Sequence, residues 1–209
     1  KVYHAGIVGT DGDILLEACK EAGVNTKYIR RLPVKGGHTM IQVDKNAQNC
    51  IILYGGTNQM QTKEFVDEVL ADFGEGDYLI LQNEINMLDY IIDQAYEKKM
   101  KIVMNPSPFD DKLSTCDLSK VYLFLVNEIE GEQITGCKDK DQILDAMAAK
   151  FPNARFVLTL GSDGAVYYDG KEKVFQDIFK VKAVDTTAAG DTFTGYFIAA
   201  VIEGRSIQE

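Results

Sequence analysis

Three observations on the 209-residue chain predict an α/β fold: a doubly wound, mostly parallel sheet with a small antiparallel β lid. Short apolar runs alternate with helix-periodic segments through the middle of the chain. Those runs, Tyr78-Leu-Ile-Leu81, Val121-Tyr-Leu-Phe-Leu-Val126 and Phe156-Val-Leu-Thr-Leu160, are nearly uniform rather than alternating, which suits strands buried on both faces. Two β-prone runs around a polar turn interrupt the alternation early on, as a hairpin does. With 45% hydrophobic and 26% charged residues the composition supports one substantial core. The reading is therefore a single domain over residues 1–209, with a lid hairpin inserted over about 36–57.

Val2 to Val8 reads as the first strand. Thr10 or Asp11 is the expected cap of a helix whose apolar positions Ile14, Leu15, Ala18 and Cys19 recur at helical spacing and which stops at Gly23. Thr39 to Val43 and Cys50 to Tyr54 form the hairpin around residues 44–49. Alternation then resumes with a helix near 62–73, strand Tyr78 to Leu81, a helix near 86–99, strand Ile102 to Asn105 and strand Val121 to Val126. Helices near 128–135 and 139–151 precede strand Phe156 to Leu160. A hairpin follows, Gly164 to Tyr168 and Lys173 to Phe175 around Asp169-Gly170, and a helix closes the pattern from about Ala189 to Glu203. Val2-Tyr3-His4 enters a strand at once, and Ser206-x-x-Glu209 has capping-box spacing without a helix body. The expectation is a domain incomplete at both ends.

Twenty-two basic against 32 acidic residues give a formal net charge of −10, the wrong sign for a nucleic-acid or anionic-membrane surface. The longest apolar run, Tyr196 to Ile202, falls far short of the roughly 20 residues of a membrane span. Cys19, Cys50, Cys116 and Cys137 contain no Cys-x-x-Cys pair and have only His4 and His38 for company. Neither a zinc site nor a disulfide framework is encoded, and a cytoplasmic location is expected. Gly6-x-x-Gly9-x-x-Gly12 lacks the spacing of a dinucleotide fingerprint, and no P-loop motif occurs. Cys116 and Cys137 lack a nearby base in sequence and are not expected to act as nucleophiles.

The segment from Asp185 to Gly195, Asp-Thr-Thr-Ala-Ala-Gly-Asp-Thr-Phe-Thr-Gly, carries the chemistry. It is read as lying between a short strand and the last helix. Small residues ahead of a helix let backbone N–H groups approach an anion, and the helix dipole favours negative charge there. A carboxylate at Asp191 would repel bound phosphate unless a metal ion or a proton-transfer role justified it. Phosphoryl transfer reconciles the two, while an ordinary acidic helix start is the plain alternative.

Four blocks in order, Asn105-Pro-Ser-Pro108, Asn127-Glu-Ile-Glu130 with Ile134-Thr-Gly136, Thr159-Leu-Gly-Ser-Asp-Gly164 and Asp185 to Gly195, resemble the ribokinase-like (PfkB) carbohydrate kinase family, its ribokinase branch above all. The resemblance implies ATP-dependent phosphorylation of a sugar hydroxyl, with ribose to ribose 5-phosphate as the leading reaction and fructokinase-like or nucleoside-kinase-like specificity as alternatives. A non-catalytic nucleotide- or sugar-binding module on the same scaffold is the competing class. Carried over by position, Asp191 matches the general base, and the N–H groups of Ala188, Ala189, Gly190 and Asp191 match the anion hole. Asn127 and Glu130 match an element that organises Mg2+ and phosphates through water, although their spacing is equally that of a capping box. Thr159, Leu160, Gly161, Ser162, Asp163 and Gly164 match the nucleotide-binding turn beside the adenosine, and without the other blocks they read as a hairpin turn.

Glu84 matches a sugar-contacting glutamate, and Asp185 and Thr187 match ligands of a monovalent cation, usually potassium (K+). Tyr54 to Asn58 matches the segment leaving the lid. Family members often dimerise through that lid sheet, so a homodimer is the expected assembly. Three departures stand out: Tyr196 replaces a small residue, Gly36-Gly-His-Thr39 replaces the usual Thr-Gly, and the family's N-terminal sugar-binding and C-terminal adenine-side elements have no counterpart.

Overall fold

The computed structural model describes residues 1–43, 49–181 and 188–208. A six-stranded sheet forms its centre, built from β5 (Tyr78–Leu81), β6 (Lys101–Met104), β7 (Leu123–Asn127), β8 (Arg155–Thr159), β9 (Ala165–Tyr168) and β10 (Lys173–Gln176). The strands lie side by side in chain order. β5 to β8 run parallel, and β9 and β10 turn back antiparallel at one edge. The uniform apolar runs are thus explained: Ile102, Met104, Phe124, Val126, Phe156 and Leu158 fill one face and Val103, Leu123, Leu125 and Val157 the other.

Helices cover both faces, as predicted. α2 (Lys63–Leu70), α3 (Leu88–Glu97), α4 (Glu128–Thr135) and α5 (Lys140–Lys150) pack on the first through Val66, Leu70, Ile92, Ala95, Ile134, Ile143 and Met147. α6 (Ala189–Ile202) packs on the second through Ile198, with Phe193 and Phe197 stacked beside it. α4 and α5 approach closely at Gly131, where any Cβ would strike Ile143. Tyr196, the residue expected to disturb packing in α6, points outward and is 78% exposed.

The N-terminal part differs from expectation in two places. β1 (Tyr3–Val8) pairs in parallel with β2 (Asn25–Arg31), a strand not anticipated from sequence. Among its residues only Tyr28 is buried, so its apolar signal is weak. The intervening α1 (Asp13–Glu21) is capped by neither Thr10 nor Asp11: Gly12 holds the N-cap position with no side-chain bond. Asp11 instead accepts a hydrogen bond from the Gly36 N–H at 2.9 Å, tying the end of β1 to the base of the lid. That bond holds the Asp11 carboxyl below its ordinary range.

The lid is the antiparallel pair β3 (His38–Val43) and β4 (Asn49–Tyr54), in register from His38↔Tyr54 to Val43↔Asn49. The polar turn expected between them falls largely at 44–48, outside the described residues. Met40, Ile41, Ile52, Leu53 and Tyr54 are all exposed. A short 3-10 turn, Gly56–Gln59, leads from the lid back to the body. Gly56 adopts φ +49° there and lies so close to Gly36 and Gly37 that a side chain would collide with their backbone.

Candidate active site

The carboxyl ends of β5 to β8 and the N-terminus of α6 enclose a cleft of about 290 Å³. An open parallel sheet exposes its binding crevice at this end. Gln82, Glu84, Asn105, Ser107, Asn127, Glu130, Thr159 and residues 188–191 all line it. The four sequence blocks therefore each send at least one residue into one cavity.

α6 begins with Ala188 in the left-handed region (φ 57°, ψ 17°) and has no side-chain cap. The first N–H groups of a helix have no partner within it, and Ala189, Gly190 and Asp191, which open α6, line the cleft. A Cβ built on Gly190 would meet nothing within 4 Å. Glycine is thus required there neither by packing nor by backbone angle, and its small size leaves open space at the helix end. Such a cradle fits a phosphate.

The Asp191 carboxylate, in the first turn of α6, is reached by one side chain from the sheet: Gln82 Nε2 donates to Asp191 Oδ1 at 3.0 Å. Glu84 stands two residues further along. Solvent reaches it, yet enough protein backs it that desolvation, and then the charge of Asp191, push its carboxyl above the ordinary range. This end of the cleft is acidic and suits a neutral, hydroxyl-bearing molecule better than an anion.

On the opposite side Asn127 ends β7 and caps α4. Asn127 Oδ1 accepts from the Glu130 N–H at 2.9 Å, and Glu130 Oε2 accepts from the Asn127 N–H at 3.0 Å, a complete capping box. Glu130 is only 7% exposed. Burial raises its carboxyl, and bonds from the Asn127 backbone, the Ser107 hydroxyl and the Asn127 side chain offset that in part. Among the described residues no group of three or more His, Cys, Asp or Glu could hold a metal ion directly. One carboxylate with amide and hydroxyl neighbours fits a magnesium ion that keeps most of its waters. Asp185 and Thr187, expected to hold a monovalent cation, lie outside the described residues.

Thr159 lines the cleft, whereas Leu160 is buried in the core beside it. Gly161–Asp163 form a single 3-10 turn joining β8 to β9, as the hairpin-turn reading anticipated. Gly164 (φ +94°) packs against the Gln176 carbonyl with no room for a side chain. The short strand expected before Asp185 is absent from the described part, where residues 177–181 form no regular element. Cys116 is unsuited to nucleophilic work, since burial raises its thiol. Gln82, Asn105 and Ser107 belong to the cleft but were not singled out individually from sequence. Their signal was position, at the carboxyl ends of β5 and β6.

No helix among the described residues is long and apolar enough to cross a membrane. The family profile described as pfkB family carbohydrate kinase matches residues 1–209. The ribokinase of Haemophilus influenzae is 32% identical over 222 residues, covering 100% of this chain and 71% of that protein. Among solved structures, ribokinase from Cryptococcus neoformans var. grubii serotype A in complex with ADP superimposes with a TM-score of 0.83 at 27% identity, covering 100% of this chain and 72% of that one. Arabidopsis thaliana ribokinase complexed with ribose and ATP gives a TM-score of 0.80 at 26% identity, with 98% and 70% covered. The chain thus spans about 70% of the length of these relatives.

Proposed function

The chain belongs to the pfkB family of carbohydrate kinases, and from that premise we propose that it transfers the γ-phosphoryl group of ATP to a sugar hydroxyl, with ribose as the acceptor and ribose 5-phosphate as the product. One observation carries the reading: a carboxylate, Asp191, shares its helix turn with the first N–H groups of α6, which have no partner within the helix, and the same cleft holds a second carboxylate at Glu84. A sugar belongs at the acidic end beside Glu84, and the phosphates belong at the end of α6. Relatives solved with ADP, and with ribose and ATP, support the choice of these ligands.

In the proposed reaction Asp191 accepts the proton of the sugar hydroxyl while that oxygen bonds to the γ-phosphorus. The bond from phosphorus to the β-γ bridging oxygen breaks, and ADP departs with that electron pair. Residues 188–191 offer backbone N–H groups to the charge on the transferring group, and positioning with electrostatic stabilisation is what this chemistry requires. Glu84 holds a second sugar hydroxyl. Asn127, Glu130 and Ser107 would order the water shell of Mg2+, which when bound draws charge from the phosphates. Thr159 to Gly164 lie at the adenosine side, and Asp185 and Thr187 are the proposed K+ ligands. The exposed apolar residues on β3 and β4 are proposed to pair with a second copy of the lid.

The test is ADP release with ATP and a panel of sugars, alongside Asp191→Asn. Ribose should give the highest kcat/KM, and the variant should lose roughly 10²–10⁴-fold in turnover while ATP binding persists. Full activity of Asp191→Asn would refute the assignment. ATP binding without ADP release for any sugar would favour the non-catalytic reading.

A further inference from the structure

Resting on the kinase reading, we infer that Gln82 is a positioning residue for the base: its carboxamide fixes the Asp191 carboxylate so that one oxygen is committed to the protein and the other is left for the sugar hydroxyl. Gln82 Nε2 donates to Asp191 Oδ1 at 3.0 Å, a contact between residues 109 apart in sequence. The opposite amide orientation would set two acceptor oxygens against each other, so the donor assignment follows from the chemistry.

The two partners are anchored very differently. Gln82 extends the β5–β6 ladder past its last paired residue: Leu81 O accepts from the Asn105 N–H at 3.0 Å, and the Asn83 N–H donates to Ser107 O at 3.0 Å. Asn83 is 3% exposed, and its Nδ2 is pinned by Pro108 O at 2.7 Å and Asp110 Oδ1 at 2.9 Å. Gln59 Nε2 holds the carbonyl of Glu84 at 2.8 Å. Residues 81–84 thus form a platform fixed from both sides. Asp191, by contrast, sits in the first turn of α6, whose N-cap Ala188 supplies no side-chain bond. Among the described residues, the bond from Gln82 links the platform to that carboxylate.

A neutral amide suits this task. It orients a carboxylate without adding a cation, which would pair with Asp191 and oppose uptake of the sugar proton. It also sets a donor beside Asp191 in a neighbourhood where Glu84 supplies a second acidic group.

The test compares Gln82→Leu and Gln82→Glu with the parent and with Asp191→Asn in the full chain, measuring kcat and KM for ribose and ATP and Tm for each. Loss of the single hydrogen bond in Gln82→Leu should lower kcat about tenfold, with KM for ATP and Tm unchanged. Gln82→Glu is isosteric but replaces the donor by a charge that repels Asp191, so its kcat should fall further. A side chain that merely fills space gives the reverse order, because glutamate has the shape of glutamine. That reversed order, a parent-like kcat in Gln82→Leu, or activity losses that track Tm would each overturn the inference. If Asp191→Asn is inactive while Gln82→Leu is normal, the positioning role fails alone. If the parent releases no ADP, or Asp191→Asn is fully active, the kinase reading fails and this inference falls with it.

Discussion

Asn127 stands in the structure as a helix cap and in the proposed mechanism as part of the magnesium and phosphate side, and two substitutions separate those roles. In Asn127→Ala the acceptor for the Glu130 N–H, now at 2.9 Å, is lost, while the return bond from the residue 127 N–H to Glu130 Oε2 survives. Loss of an N-cap acceptor costs about 0.5–2 kcal/mol, typically about 1. Because Glu130 is 7% exposed, water replaces the acceptor poorly, and about 1–2 kcal/mol is expected. In a chain of this length each kcal/mol moves Tm by about 2–4 °C, so Asn127→Ala should melt about 2–8 °C lower. Asn127→Asp retains the acceptor and adds charge favoured at a helix start by about 0.3–1 kcal/mol, which offsets repulsion from the neighbouring acid, and its Tm should stay within about 2 °C of the parent. Its turnover should nevertheless fall tenfold or more, since a fixed carboxylate in place of a neutral amide repels phosphate and retains the magnesium ion too tightly. Calorimetry and an ADP-release assay on the same preparations give both numbers. Parent-like turnover in Asn127→Asp would reduce Asn127 to a cap, and an unchanged Tm in Asn127→Ala would refute the energetic argument.

Glu130 makes a prediction in pH. Burial raises its carboxyl above the ordinary 4.5, so the native state holds that proton more tightly than the unfolded chain does; the stabilising contribution is present below the ordinary value and is lost as pH rises through the raised one. Glu130→Gln removes this loss, so its Tm should gain on the parent between acid and neutral pH, and parallel Tm–pH curves would contradict it. At Gly190 a methyl group meets nothing within 4 Å, so Gly190→Ala should be neutral or up to about 1 kcal/mol more stable. The same methyl occupies space needed by phosphate, so KM for ATP should rise; an unchanged KM would move the anion site elsewhere.

The central sheet was readable from sequence because β6 to β8 are buried on both faces and the apolar runs of β5 to β8 are nearly uninterrupted: β5 is found where it was predicted, and β6 to β8 lie within two residues of their predicted bounds. β2 was not readable, because Asn25-Thr-Lys-Tyr-Ile-Arg-Arg buries only Tyr28, and its polar side chains serve other partners. Tyr28 and Lys27 bond Asp72, and Arg30 pairs with Glu68. Asp11 was misjudged because a carboxylate ahead of a helix looks like a cap, whereas its partner, Gly36, is 25 positions away. In the cleft, Asp191, Asn127 and Glu130 stood out because their blocks resemble the family in order; their local spacing alone reads as a helix start and a capping box. Gln82 has no local signature; its significance arises only when β5 and α6 meet.

That meeting has a consequence for how the protein comes into being. β5 to β8 are laid down as neighbouring units in chain order, each able to dock on the one before as the polypeptide leaves the ribosome. α6 emerges after them and must return across the second face of the sheet, Ile198 seating against the apolar residues of β6, β7 and β8, before Asp191 meets Gln82. Joining segments so far apart in sequence is a late, slow event in folding. On the proposed mechanism, a nascent chain with a finished sheet but an undocked α6 would not yet have Asp191 aligned by Gln82.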